Sequence, residues 1–212
     1  IKGYDIAGIY IPTYEIGGDY YDYIDLDENN TGIVIADVSG HGIASALIMA
    51  AFRAMLINQL KKIDNTDELM NLLNRQIPEV SRKKDFISAF YSKLNFKEHS
   101  LHYTNCGHNP PFIIRSNGNL EFLQTSGPGL NIFDDFKYES TKINIDVGDQ
   151  IIFYTDGVTE IFNSNSEEFG LERLMTIILK SKKENAENII KLVVEETKNF
   201  AGADFYQDDF TM

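Results

Sequence analysis

Only one of the 212 residues is cysteine, Cys106, so no internal disulfide can form and a thiolate zinc site has almost nothing to draw on. That usage fits a reducing compartment. Cations are scarce too: 19 Lys plus Arg against 32 Asp plus Glu leave a formal charge of -13. Nucleic acid and anionic membrane are normally met with a surplus of Lys and Arg, so the deficit argues against both as main partners. No apolar run reads as long enough to span a membrane, and the N-terminus has no basic-then-apolar signal pattern. A cytoplasmic domain without membrane insertion is the expectation. Internal repeats, low-complexity stretches and composition breaks are also lacking, so residues 1–212 are expected to form one α+β domain. What is present is globular: 43% hydrophobic residues, with 14 Phe and 11 Tyr.

Periodicity divides the chain into a strand-rich first part, a helical insert, a strand-rich middle and a helical end. Tyr4 to Pro12, Tyr20 to Leu26 and Ile33 to Val38 read as strands. Ile43 to Leu60 has no Gly or Pro, is dense in Ala, Leu, Met and Ile, and is apolar nearly all round until Arg53. It predicts a helix buried on more than one side. A second helix is expected from Thr66, a candidate N-cap, to a stop before Pro78. Phe86 to Phe96, Leu101 to Asn105, Phe112 to Arg115 and Leu120 to Leu123 are spaced for antiparallel hairpins. Tyr138 to Ile145 and Ile151 to Thr155 add two strands, and Leu171 to Lys180 and Ala186 to Ala201 read as amphipathic helices. The chain closes on Asp208-Asp209-Phe210-Thr211-Met212, which looks like a strand beginning, so an output module of a larger protein with its final strand truncated is expected.

Acidic residues recur at the ends of apolar strands. Asp37 ends IVIAD before Ser39-Gly40-His41-Gly42, Asp156 ends IIFYTD before Gly157, and Asp208 and Asp209 precede Phe-Thr-Met. Asp19 and Asp22 follow the pair Gly17-Gly18. Taken singly these have plain explanations: Asp156-Gly157 as a turn, Asp37 or Ser39 as a helix cap, Gly17-Gly18 as a bulge, His41 and His108 as structural histidines. Taken together, converging carboxylates repel and lose hydration, which is tolerable mainly when something positive neutralises them. His99 and His102 lie in a hairpin region and read as solvated, which leaves aspartate-dominated ligation. That chemistry favours Mg²⁺ or Mn²⁺, and two such ions sharing a carboxylate can activate water and clamp a phosphoryl group.

GGDYYD (17–22), ADVSGHG (36–42), TNCGHNPP (104–111), YTDGVTE (154–160) and DDFT (208–211) follow one another in the order of a known family. As a set they resemble the bacterial PPM (PP2C-like) serine/threonine phosphatases, in the branch of sporulation protein E and the stress sigma-factor regulators, called SpoIIE-like or RsbU-like. The resemblance covers almost the whole chain. It implies an αββα sandwich in which two antiparallel sheets hold two Mn²⁺ or Mg²⁺ ions at one end. Asp37 would bridge both ions with the backbone carbonyl of Val38 alongside, Asp156 and Asp208 would complete the second ion, and Asp209 stands beside them. Asp19 matches the early acid that meets a metal or its waters, with Asp22 near it. Gly40 and Gly42 would let the backbone approach the ions. Asn105 and His108 match a loop that is structural or substrate-positioning, and Gly157 follows the ligand Asp156.

The resemblance further implies hydrolysis of a phosphoserine on an anti-anti-sigma (STAS-type) regulator, with His41 or a metal-bound water protonating the leaving oxygen. An upstream sensor domain and a homodimer through the two helices at 43–60 and 66–77, acting as a switch, belong to the same expectation. One feature departs from the animal branch, which grips phosphate with an N-terminal arginine: here Lys2 is the only cation before Arg53. The rival readings are a non-catalytic module of the same fold and a metal-dependent phosphodiesterase. Intact acids disfavour the first, and sparse cations disfavour the second.

Overall fold

The computed structural model describes residues 3–82, 84–124, 127–202 and 207–212. Its elements run β1 (Tyr10–Ile11), β2 (Tyr20–Asp25), β3 (Asn30–Val38), α1 (Ile43–Leu60), α2 (Thr66–Gln76), β4 (Ile87–Asn95), β5 (Ser100–Cys106), β6 (Phe112–Ile114), β7 (Leu120–Phe122), β8 (Thr141–Asn144), β9 (Gln150–Ile152), α3 (Asp156–Thr159), α4 (Gly170–Lys180), α5 (Ala186–Ala201) and β10 (Phe210–Thr211). Three antiparallel sheets result, ordered β2-β3-β4-β5-β8, β7-β6-β9 and β1-β10.

Alternation along the strands sets the layers. On β3, Ile33 and Ile35 point to one face, where they meet Phe90, Leu94, Leu101 and Tyr103 and, from the second sheet, Ile113 and Leu123. Val34, Ala36 and Val38 point the other way, onto Met49, Phe52 and Leu56 of α1 and Leu69, Met70 and Leu73 of α2. The second sheet divides in the same manner. Phe112, Ile114 and Ile152 turn outward onto Leu174 and Ile178 of α4 and Ile189 and Val193 of α5. The order is therefore helices, sheet, sheet, helices: the αββα sandwich. Each fully buried Phe or Leu in these layers contributes on the order of 1.5–3 kcal/mol.

Several local expectations change. Of Tyr4 to Pro12 only Tyr10–Ile11 is strand, because its sole ladder partner is the two-residue β10. Tyr138 sits before β8 rather than in it, since its buried hydroxyl donates to the carbonyls of Pro128 and Gly129. Neither Asp37 nor Ser39 caps α1. Its N-cap is Gly42, and Ser39 Oγ instead accepts the Phe86 amide at 2.9 Å. Asn65, not Thr66, is the N-cap of α2, and Thr66 Oγ1 accepts from Thr104. The expected stop before Pro78 does hold: α2 ends at Gln76, and the chain passes into a 3-10 turn, Ile77–Glu79.

Helix α1 is buried on one side only. Ser45, Met49, Phe52 and Leu56 are covered, while Ile43 and Leu47 are 68% and 67% exposed. By length and composition this helix does meet the requirement for crossing a membrane, contrary to the expectation from sequence, although its buried stripe packs on β3. Among the described residues it is the one such helix.

Candidate metal centre

Strand parity aims Asp37 at the space between the sheets. It shares the face of Ile33 and Ile35 and stands at the end of β3, where hydrophobic cover gives out. Beside it, the Val38 amide bonds the Gly18 carbonyl at 3.3 Å. A Cβ on Gly18 would lie 3.0 Å from the Val38 carbonyl oxygen and 3.3 Å from Asp37 Oδ1, so the chain passes here with little room for a side chain. Asp19, one residue on, is 6% exposed. Its Oδ2 accepts from Thr155 Oγ1 at 2.8 Å and Thr211 Oγ1 at 2.5 Å. Asp19 and Asp37 come within hydrogen-bonding reach of each other.

The second sheet supplies Asp156, first residue of the one-turn α3, with Thr155 as N-cap. The C-terminal strand lies against it: the Thr155 amide bonds the Thr211 carbonyl at 3.0 Å. The approach is so close that a Cβ on Gly157 would sit 2.0 Å from the Asp209 carbonyl oxygen, which makes glycine obligatory. Asp208 is exposed, and its Oδ1 accepts its neighbour's amide at 2.8 Å.

Electrostatics join these four acids. Burial pushes the Asp37 carboxyl up, and the charges of Asp19, Asp156 and Asp208 push it further. Burial raises Asp19 as well, against two hydroxyl bonds that favour its charge. Asp156 is raised by burial and by Asp208, and Glu160 by burial and by Asp156, Glu168 and Asp208. Among the described residues no ion pair reaches Asp19, Asp37, Asp156 or Asp208. A donor set of oxygens, held together with no protein cation, fits a hard divalent ion. Among the described residues no three acid, His or Cys groups yet meet at one metal-binding point.

Asp209 is differently employed. Its Oδ1 accepts the Thr13 amide at 2.9 Å and its Oδ2 the Gly18 amide at 2.7 Å. Gly17 crosses directly over it, where a Cβ would be 1.7 Å from Oδ2. The Tyr10 hydroxyl, buried near the charges of Asp209 and Asp19, is pushed far above its usual range.

Asp22 does not join the cluster. It pairs with Val34 across the ladder and so faces the α1 side, accepting from Tyr20 Oη at 2.7 Å and Arg53 at 3.3 Å. His41 is exposed and packs at a tilt against Tyr14, ring centroids 5.7 Å apart. Gly40 and Gly42 have φ of 90° and 79°, a conformation that favours glycine, and a Cβ at either would meet no protein atom within 4 Å. Asn105 closes its own loop, donating from Nδ2 to the His108 carbonyl and accepting the His108 amide at 2.8 Å. The buried His108 ring pairs through Nδ1 with Ser88 Oγ at 2.9 Å, and Ser88 is the ladder partner of Asp37. That loop therefore braces the strand end that carries Asp37. The expected cation Lys2 lies outside the described residues.

Sequence reasoning missed Thr155 and Thr211, which hold Asp19, and Ser88. The only signal was position: Thr155 directly precedes Asp156, and Thr211 follows Asp209 by two residues.

Residues 27–212 match the family described as Stage II sporulation protein E (SpoIIE). Phosphoserine phosphatase RsbU of Bacillus subtilis (strain 168) is 29% identical over 211 residues, covering 98% of this chain and 62% of that protein. The chain thus spans less than two thirds of that relative's length. The solved SiaA-PP2C domain of Pseudomonas aeruginosa superposes with a TM-score of 0.86 at 15% identity, over 97% of this chain and 82% of that one. RsbX, solved in complex with magnesium, gives 0.72 at 16% identity, over 96% of this chain and 90% of that one.

Proposed function

We propose, from the premise that this chain belongs to the SpoIIE family, that it is a metal-dependent phosphatase of phosphoserine proteins. The observation that carries the reading is the cluster of Asp19, Asp37, Asp156 and Asp208 at one end of the sheet sandwich, with no ion pair to any of them among the described residues. Asp37, the Val38 carbonyl, Asp156 and Asp208 would hold two Mn²⁺ or Mg²⁺ ions, with Asp19 at their edge. When bound, the ions supply Lewis-acid stabilisation of phosphoryl oxygens and a lowered pKa for attacking water.

The rest falls to the chain. Thr155 and Thr211 fix the Asp19 carboxylate, so its free oxygen is aimed before any ion arrives. Ser88 and His108 brace the strand end under Asp37. His41, exposed and packed against Tyr14, would serve as the general acid for the departing serine oxygen. The substrate would be a small phosphoserine regulator of the anti-anti-sigma, STAS-domain kind. Helix α1 touches the centre through Ser45, whose Cβ lies 3.2 Å from the Gly18 Cβ position. That contact supports a switch in which a sensor domain or a homodimer contact moves α1 and α2.

The test is Asp37→Asn and Asp156→Asn, assayed on a phosphoserine protein with Mn²⁺. Loss of about 10²-fold or more in kcat is expected from either change. Full activity in either variant would sink the mechanism.

A further inference from the structure

Two loops that flank the acids of the centre are bridged by one pair of rings. The first, residues 12–18, leads into Asp19, and the second, residues 39–42, follows Asp37 and Val38. At their base the chains are joined, the Val38 amide donating to the Gly18 carbonyl at 3.3 Å. Farther out, where both residues are exposed, the Tyr14 and His41 rings pack with centroids 5.7 Å apart and planes 36° from parallel. That spacing lies within the range of an attractive ring pair.

The two partners are held unequally. Tyr14 stands on a pinned segment: the Thr13 amide donates to Asp209 Oδ1 at 2.9 Å and the Gly18 amide to Asp209 Oδ2 at 2.7 Å. The turn that carries His41 is fixed only at its ends. Ser39 exchanges two bonds with Phe86, its amide donating at 3.0 Å and its Oγ accepting at 2.9 Å. At the other end the Gly42 carbonyl accepts the Ala46 amide as α1 begins. A Cβ on Gly40 or Gly42 would meet no atom within 4 Å, so the turn between these ends stands clear of its surroundings. Among the described residues the His41 imidazole makes no hydrogen bond and no ion pair, and its ring contact is with Tyr14.

We propose that Tyr14 is a positioning residue for His41: its ring confines an imidazole that nothing else steers, and so sets how well His41 protonates the departing serine oxygen. This role rests on the phosphatase reading above, which leaves Tyr14 without a task. As water adds to phosphorus, the bond from phosphorus to the serine oxygen breaks with its electron pair on that oxygen. The oxygen takes a proton from the His41 imidazolium, and the added water gives up one proton, which restores the ring through solvent. A general acid is worth about 10²–10⁴-fold, and only when it stands within hydrogen-bond reach of the oxygen it protonates. An unsteered side chain spends little time in that one place, and a ring pair can raise its share by up to about tenfold. Tyr14 acts through His41 and not on the phosphate.

The test compares two substrates with Mn²⁺: a phosphoserine peptide, whose alkoxide leaving group needs a proton, and p-nitrophenyl phosphate, whose nitrophenolate leaves without one. Tyr14→Ala should lower the ratio of kcat on the peptide to kcat on p-nitrophenyl phosphate about tenfold, with KM for the peptide within about twofold of wild type. Tyr14→Phe should keep the wild-type ratio. His41→Ala should lower the ratio at least as far, and adding Tyr14→Ala to it should lower it no further, because the two act as one. Tyr14 is 57% exposed, so its truncation leaves the core intact. In NMR of the metal-free chain, the His41 ring protons should carry a ring-current shift that Tyr14→Ala abolishes and Tyr14→Phe retains. An alanine variant at 14 that keeps the kcat ratio, that raises KM instead, or that leaves the His41 resonances in place overturns the proposal. So does a His41→Ala variant that keeps the ratio, or a double variant whose ratio falls below that of His41→Ala. Those outcomes leave the phosphatase reading standing, whereas a wild type that turns over neither substrate overturns both.

Discussion

Asp209→Ala separates a clamp from a ligand. Asp209 lies beside Asp208 in sequence, and the family resemblance alone leaves both as candidates for metal. The geometry separates them, because each Asp209 oxygen already accepts a backbone amide, from Thr13 at 2.9 Å and from Gly18 at 2.7 Å. Truncation removes two charge-assisted hydrogen bonds and leaves the buried Gly18 amide without an acceptor, while water can reach the half-buried Thr13. An orphaned buried amide costs about 1–3 kcal/mol, and the lost charged bonds raise the total to about 3 kcal/mol. Relief of the repulsion between Asp209 and Asp19 offsets part of this. Urea unfolding should therefore show a loss of about 2–3 kcal/mol, and amides in residues 13–18 should exchange up to about 100-fold faster. Mn²⁺ titration by calorimetry should find the same number of ions, bound more weakly. Asp208→Ala should do the opposite: stability within about 1 kcal/mol of wild type and one ion lost. If Asp209→Ala loses an ion while its stability and exchange stay unchanged, Asp209 is a ligand and the clamp is wrong.

Three further outcomes follow from the same geometry. Burial holds the His108 imidazole neutral by moving its pKa from 6.5 down to about 4. Its contribution to stability is thus present above the unfolded value and lost as pH falls toward the folded one. Urea unfolding at about pH 7 and about pH 4.5 should show a drop about 2–3 kcal/mol larger in wild type than in His108→Gln. Asp19, Asp37 and Asp156 behave inversely: with folded values raised, the metal-free fold holds extra protons above about pH 4 and loses stability as pH rises through those values. Millimolar Mn²⁺ should accordingly raise the melting temperature more at about pH 8 than at about pH 5, and an unchanged melting temperature at both would count against metal. Gly157→Ala, which forces a methyl against the Asp209 carbonyl, should cost about 3 kcal/mol or more by thermal unfolding, whereas Gly40→Ala should cost only its φ strain of about 1 kcal/mol.

Helix bounds were legible in the sequence because helices are local: Ile43–Leu60 and Ala186–Ala201 match the expected limits. Sheet membership was less so. Nothing within Tyr4 to Pro12 tells that only two residues find a partner, and that the partner is Phe210–Thr211. The acids were legible as a set because strand ends, glycines and aspartates recur together. Their division of labour was not. Asp22 and Asp19 share one motif, yet strand parity sends the first to Arg53 and the second to Thr155 and Thr211. Asp208 and Asp209 are adjacent, and only the arrival of the Gly17-Gly18 turn decides which one faces solvent. The one-sided burial of α1 escaped for a related reason: apolar residues all round a helix show what could be covered, not what is.

The joining of Asp19 to Thr211, across 192 positions, and of Gly18 to Asp209, across 191, bears on the order of assembly. Contacts of such span are the slowest to form, because almost the whole chain must be organised before they repay their entropy. The sandwich layers built from β2 to β5 with α1 and α2 can collapse before the segment carrying Asp208 to Thr211 docks. Until that segment docks, Asp19 lacks the Thr211 hydroxyl that holds it, so on the proposed reading metal uptake would follow this last closure.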